Sequence, residues 1–296
     1  MNPISPLARR DFLNVVIAAT GGMALAPATA PNAGRLSAPG LIDVNVNLSR
    51  WPSRRLRGDD TAALVGMLRS QGIAQAWAGS LDGLLHKDVA STNARLADEC
   101  RRYGRGLLVP FGSVNPLSSH WEEDVRRCMD EHGMPGIRLH PNYHGYKLDD
   151  PQFAHLLQVA GEHGLIVQLA LTMEDERMMH PLLRIEPVET APLLDLIKRA
   201  PGVRLVLLNA LRTLRGQPLL DLLSAGEVYV EISMLEGVGG VAKLLMDVPA
   251  QRVLFGSHAP LFYLESAMLK LQESPLSVGQ QRALRSENAR RLLTRK

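Results

Sequence analysis

The sequence predicts an α/β fold: a single-domain, eight-stranded (β/α)8 TIM barrel with an extra C-terminal helix. Three observations predict it. Short apolar runs alternate with helical patterns across residues 40–296, as the crossovers of a parallel sheet require. Eight such pairs can be read, and a barrel of this kind takes about 250 residues, close to what the 296-residue chain offers beyond its N-terminal segment. No glycine-rich turn of the dinucleotide type follows the first strand, which turns the reading away from an open doubly wound sheet.

Taken in order, the first strand spans 41–47, LIDVNVN. There Ile42, Val44 and Val46 fill one phase and Asp43, Asn45 and Asn47 the other, before Trp51-Pro52 ends the run. The remaining strands are expected at 74–80, 107–115, 136–141, 165–172, 203–210, 228–234 and 252–258. Helical periodicity places helices between and after them at 60–71, 92–103, 119–132, 151–163, 187–200, 218–225, 238–247 and 260–273. Gly72, Gly104, Gly133 and Gly164 stand where helices stop. An amphipathic helix over 277–293 closes the chain. The stretch 173–186 is long for a strand-to-helix loop, and in a barrel such loops lie over the reactive face, so it is read as a lid or an interface strip.

Residues 1–30 read differently. Arg9-Arg10-Asp11-Phe12-Leu13 precedes a weakly apolar, glycine-containing run that ends in small residues, the order of a twin-arginine signal peptide. Cleavage after Ala28 or Ala30 fits, with 31–39 as a linker and 40–296 as the barrel domain. The run is too short to span a membrane. The expected location is the periplasm or outside the cell, with the twin-arginine machinery as a partner and no membrane contact after cleavage. The balance of 33 basic and 30 acidic residues, with no long basic block, excludes a nucleic-acid footprint. Cys100 and Cys128, the two cysteines, fall in helical patterns and are expected to be buried free thiols, because cargo of this route folds before export.

In a closed barrel alternate side chains point into the lumen. Assigning the polar phase there collects Asp43, Asn45, Asn47, Arg138, His140, Gln168, Thr172, Asn209, Glu231, Ser233 and His258, mostly near the strand ends where barrel enzymes react. Buried polar groups are costly unless they bond each other or a ligand. Either they form a self-satisfied plug or they line a site, and repetition in phase across six strands speaks for a site.

IDVNVNL, GIRLHP, RVLFGSHAP and SENARRLL resemble the landmarks of the amidohydrolase superfamily, in its amidohydrolase-related branch. The resemblance spans roughly residues 40 to 295 in the right order. It implies metal-ligand positions at Asn45, Asn47, near Ala170, at Asn209 and at His258, and every customary ligand there is replaced. Amide oxygens hold hard cations weakly and Ala170 offers no donor. The expectation is therefore no cofactor and no metal; the alternative is a divalent ion such as zinc held by a rebuilt set drawn from His140, His144, His180 and His258.

The resemblance further implies hydrolysis of a small oxygen-rich ester, lactone or amide, as in metal-independent relatives resembling 2-pyrone-4,6-dicarboxylate lactonases. His258 stands where those carry a basic carboxylate, and an imidazole of ordinary pKa takes a proton from water near neutrality. Glu231 would orient that ring or carry the second proton, and His140 joins them as a catalytic candidate. Arg138 would clamp a carboxylate or an oxyanion unless it pairs internally with Asp43 or Glu231. Asn45, Asn47, Gln168 and Asn209 would bond substrate oxygens, a lining suited to a carbohydrate-derived molecule. Asn142 and Tyr143, just past strand four, would add contacts to a sugar ring, and Trp51, Arg54 and Arg55 would cover the mouth. Two alternatives stand beside this reading: a non-catalytic barrel used for ligand binding or as an interaction module, and a metal-dependent hydrolase with a rebuilt histidine site.

Overall fold

The computed structural model describes residues 40–294. The signal peptide expected at 1–30 and the linker at 31–39 lie outside the described residues. Nine strand segments run in parallel: β1 Leu41–Leu48, β2 Ile73–Ser80, β3 Leu108–Pro110, β4 Gly112–Ser113, β5 Gly136–Leu139, β6 Ile166–Ala170, β7 Arg204–Leu208, β8 Glu227–Glu231 and β9 Val253–Leu254. The expected third strand is β3 and β4 together. Between them the Phe111 N–H still donates to the Ala78 carbonyl, so the chain stays on β2 before it turns to β5. The barrel closes where β1 meets the strand-nine segment, through Val44 N–H to Phe255 O (2.9 Å), His258 N–H to Asn45 O (2.8 Å) and a bridge between Val46 and Ala259.

Helices cover the outside: α1 Thr61–Ser70, α2 Asp82–Leu85, α3 Val89–Tyr103, α4 Trp121–Asp130, α5 Pro141–His144, α6 Pro151–Glu162, α7 Leu193–Arg199, α8 Gly216–Ala225, α9 Gly240–Asp247, α10 Leu264–Gln272, α11 Val278–Arg282 and α12 Asn288–Thr294. Local chemistry starts several of them. The Asp60 carboxylate accepts from the N–H groups of Ala62 and Ala63, and Ser277 and Gln280 form a reciprocal capping box. Two expected helices are shorter than the sequence suggests. Pro187 and Pro192 disfavour helix at the residues before them, and a turn closed by Leu193 N–H to Thr190 O (3.0 Å) precedes α7, which starts at Leu193 rather than at 187. α10 starts at Leu264, after the cis Ala259–Pro260 bond. Among the described residues no helix is long and apolar enough to cross a membrane. Cys100 and Cys128 are free and buried.

Two apolar layers hold the barrel. The outer one packs helix residues such as Leu64, Leu96, Val125, Phe153 and Leu193 on the sheet. The inner one joins Ile42, Val44, Trp77, Phe111, Ile166, Val206, Tyr229 and Leu254, which come from nearly every strand and meet only inside the barrel. This corrects the sequence reading of β1. Its apolar phase does not lie wholly on the helix side: Ile42 and Val44 belong to the inner layer, Val46 and Leu48 to the outer. The pairing with β2 shifts register between Asp43 and Val46, and that irregularity turns Asn45 and Asn47 inward above an apolar floor. α12 covers the opposite end, where Asn288 Nδ2 donates to the carbonyls of Ala250 and Val253 at 2.7 Å each.

Candidate functional site

The upper lumen is a bonded polar layer. Arg138, on β5, is 1% exposed. Its Nε donates to Gln168 Oε1 (2.8 Å), one terminal nitrogen to Val46 O and Asn47 Oδ1 (2.9 Å each), and the other to Trp77 O (3.0 Å) and Val44 O (3.5 Å). All five acceptors are neutral oxygens. The internal ion pair with Asp43 or Glu231 does not form: among the described residues no carboxylate lies within 4 Å of the guanidinium. Burial pulls its pKa down to about 9, which leaves it cationic at neutral pH. Room for it comes from Gly79, where a Cβ would stand 2.7 Å from the guanidinium.

Glu231, on β8, anchors a second cluster. Its Oε1 accepts from the Asn209 N–H (2.6 Å) and Asn45 Nδ2 (3.2 Å) and lies 2.7 Å from Ser233 Oγ; its Oε2 accepts from the Ser233 N–H at 2.5 Å. Asn45 Nδ2 also donates to Asn209 Oδ1 at 2.8 Å, and Asn209 Nδ2 to Thr172 O at 2.7 Å. Gly256 makes the approach feasible, since a Cβ there would lie 2.4 Å from Glu231 Oε2. Asp43, fully buried, accepts from the N–H groups of Asn45 and Ser257 at 3.0 Å each, and burial pushes its pKa up to about 7.

His258 lies between the two clusters, 0% exposed. Its Nε2 is 2.7 Å from the Met173 carbonyl, which can only accept, so Nε2 carries the proton. Nδ1 then accepts from Asn47 Nδ2 at 3.3 Å. Burial holds the pKa down to about 4, so the ring is neutral near pH 7. His258 and Asn209 both have left-handed backbone, φ 61° and 57°. Such conformations in a residue other than glycine concentrate at functional sites.

The loop after β6 roofs this layer. Val188 N–H donates to Leu171 O at 2.8 Å, which pins its base. Arg54 pairs with Glu174 and donates to Met178 O at 3.1 Å, while Arg212 and Arg177 both pair with Asp175, at 3.0 and 2.6 Å. Beneath it a cavity of about 10 Å3 is bounded by His140, Ala170, Thr172 and Met173, about the size of one water. His140 is 1% exposed, and neither ring nitrogen has a hydrogen-bond partner. Burial and the neighbouring His144 and Arg138 hold its pKa well below the usual imidazole value.

Of the expected site residues, the structure brings together Asn45, Asn47, Arg138, Gln168, Asn209, Glu231 and His258, with His140 beside them. Asn142 and Tyr143 border the same small cavity as His140; Asn142 Nδ2 is given to the Glu186 carbonyl, and Tyr143 packs edge-on against Trp51, 6.3 Å between ring centres. His144 Nε2–H donates to the Gly83 carbonyl (2.7 Å), and His180 Nδ1 accepts from the Leu182 N–H (3.2 Å). Sequence reasoning missed the Met173 carbonyl, the Glu174 latch and Lys270. Carbonyl partners leave no trace in a sequence, and Lys270 sits in an ordinary amphipathic helix pattern.

A cleft of about 890 Å3 opens beside this roof. Its walls are the segments after β8 and β9 and α10, with Asp175 and Arg212 at the edge. Lys270 reaches its base and donates to the carbonyls of Ile232 (3.1 Å) and Ser233.

Comparison with known proteins bears on both regions. A family model described as amidohydrolase matches residues 43–295. No curated protein matches. Solved structures similar to the barrel include a 2,6-dihydroxybenzoate decarboxylase from Rhizobium, at 14% identity over 86% of this chain and 98% of that one, TM-score 0.64. A dihydroxybenzoic acid decarboxylase from Polaromonas, with bound manganese and 2-nitroresorcinol, matches at 13% identity over 86% and 96%, TM-score 0.65. A 5-carboxyvanillate decarboxylase from Novosphingobium aromaticivorans, with manganese and 4-hydroxy-3-methoxy-5-nitrobenzoic acid, matches at 14% identity over 88% and 97%, TM-score 0.69.

The bound manganese corrects the expectation that no cofactor belongs to this fold: relatives of this barrel carry a metal ion. The donors of this chain do not fit that ion. Manganese favours carboxylate, imidazole and water oxygen or nitrogen, whereas Asn45, Asn47 and Asn209 are committed amides and Ala170 has no donor. Among the described residues no three His, Cys, Asp or Glu side chains converge to hold an ion.

Proposed function

The chain belongs to the amidohydrolase family, and from that premise we propose that this member is a binding barrel, its lumen serving as an internal brace and its recognition surface lying at the strand ends outside the roof. The hydrogen-bond state of His258 carries this reading. A general base needs a free lone pair within reach of water. Here Nδ1 accepts from Asn47, Nε2–H is given to Met173, and the ring is 0% exposed. Arg138, the expected oxyanion clamp, is spent in the same way, on five protein oxygens. A substrate would have to displace these bonds and leave buried acceptors unpaired, at about 1–3 kcal/mol for each.

A hydrolase that works with its roof open is the second reading, favoured by His140. An imidazole buried without a partner is the kind of group that an unfilled reaction site leaves behind. One experiment separates the two. The full chain is assayed against esters, lactones, amides and hydroxybenzoic acids, with and without manganese, beside His258→Gln and beside Arg54→Ala, which releases the latch on Glu174. The binding-barrel reading expects no turnover in any of them. Turnover that Arg54→Ala raises and His258→Gln abolishes would establish the hydrolase instead.

A further inference from the structure

The cleft beside the roof combines features that the lumen lacks. It is open, with about 890 Å3 of space, within the range of small-molecule sites. Its floor and rim are apolar: Met234, Leu235 and Phe262 line it, and Leu269 and Tyr263 are 57% and 68% exposed at its edge. Charges of both signs surround it, and most neutralise one another. Arg57 pairs with Glu265 at 3.3 Å, and Asp175 holds Arg177 and Arg212.

Lys270 and Glu273 are the exceptions. Among the described residues no carboxylate lies within 4 Å of the Lys270 ammonium group. Two of its three N–H donors go to the carbonyls of Ile232 and Ser233, and the third remains for a ligand. Burial lowers the pKa of this group, and the more distant carboxylates of Glu231, Glu236 and Glu273 offset that only in part. The carbonyls fix the ammonium at the cleft base, below the apolar rim.

We propose that this cleft binds a small monocarboxylate with an apolar or aromatic body, the carboxylate on Lys270 and the body against Phe262, Leu269 and Tyr263. The remaining charges set the selectivity. Glu273 also lines the cleft, with no cation within 4 Å among the described residues, so a second or third negative charge on the ligand meets like charge, and polyanions are disfavoured. A neutral ligand of the same shape leaves the Lys270 donor unfilled.

The inference deepens the binding-barrel reading and rests on it for its role. It is tested by calorimetric titration of the full chain with acetate, benzoate and 3-phenylpropionate, with benzyl alcohol and citrate as contrasts. Benzoate and 3-phenylpropionate are expected to bind saturably, with acetate, benzyl alcohol and citrate about tenfold weaker or worse. Lys270→Gln is expected to weaken 3-phenylpropionate about tenfold. So is Leu269→Glu, an exposed position where the change leaves the fold intact, while Leu182→Ser, 91% exposed on the roof loop and away from the cleft, leaves binding unchanged. Circular dichroism verifies that Lys270→Gln is folded, and Leu269→Glu decides the matter if it is not. Absence of saturable binding to the native chain overturns the inference, as does equal affinity for benzyl alcohol or indifference to both substitutions. His258-dependent turnover would sink the binding-barrel reading and leave these titrations standing, so the two failures are distinguishable.

Discussion

The two sides of the barrel mouth are finished differently. On the side of β1, β7 and β8, Asn45, Asn209 and Ser233 close around Glu231, and nearly every polar atom has a partner. On the side of β5 and β6, His140 has no side-chain or backbone partner among the described residues and borders a small cavity together with Ala170. The contrast follows from the chemistry of the replacements. A carboxamide carries both a donor and an acceptor, so amides set at neighbouring strand ends can satisfy one another. A methyl group returns nothing to the imidazole beside it. One half of the mouth has become structure, and the other keeps a group with nothing to bind.

That contrast can be broken, and the sharpest attempt removes Arg138, the tie between the halves. Arg138→Met takes the guanidinium donors from Gln168 Oε1, Asn47 Oδ1 and the carbonyls of Val46 and Trp77, while Val44 O keeps Gln168 Nε2 at 2.8 Å. The expected loss is about 3–5 kcal/mol in denaturant unfolding, because several buried acceptors are left unpaired at about 1–3 kcal/mol each. A loss below about 1 kcal/mol would mean that the network is ornamental.

A second test uses pH on the bonded side. The folded pKa of Asp43 stands near 7, above an unfolded value of 3.8. Between these values the folded protein holds a proton that the unfolded chain has released, so this stabilising contribution is full below about pH 4 and is lost as pH rises through 7. Asn at the same place accepts the same two N–H bonds and never ionises. Asp43→Asn should match the native protein near pH 4 and exceed its stability by on the order of 3–4 kcal/mol at pH 8. His258 works in the opposite sense, with a folded pKa of about 4 below 6.5, and is common to both proteins, so it cancels in the difference. Parallel stability–pH curves would show that Asp43 is ionised in the fold.

The smallest effect is expected on the orphaned side. His140→Leu removes two unpaired polar atoms from a buried site, and unfolding should shift by no more than about 1 kcal/mol, toward greater stability. A loss of several kcal/mol would reveal a bond to His140, and the two halves of the mouth would then be alike.

Much of this was legible before the fold was known. Alternation placed Arg138, Gln168 and Glu231 in the lumen, and the four family landmarks fell on the strands where they were needed. The floor of the lumen was not legible. Ile42 and Val44 point inward because β1 slips register against β2, and a slip depends on the neighbouring strand rather than on β1. The bond of the Asn142 amide to a carbonyl 44 residues away was not legible either. The expected lone pair of His258 was lost to Asn47 and its proton to Met173 for the same kind of reason.

The sequence by itself determined the barrel and the order of its strands, because periodicity and residue type are local properties of the chain, and its resemblance to the family implied that the customary ligands are replaced. Only the tertiary structure decided that the replaced positions bond one another, that a loop carbonyl holds the imidazole, and that Lys270 stands without a carboxylate at the base of an open cleft. Those outcomes depend on distances between segments far apart in the chain, and whether a buried polar group is a ligand or a brace is settled by which partner lies within hydrogen-bond reach.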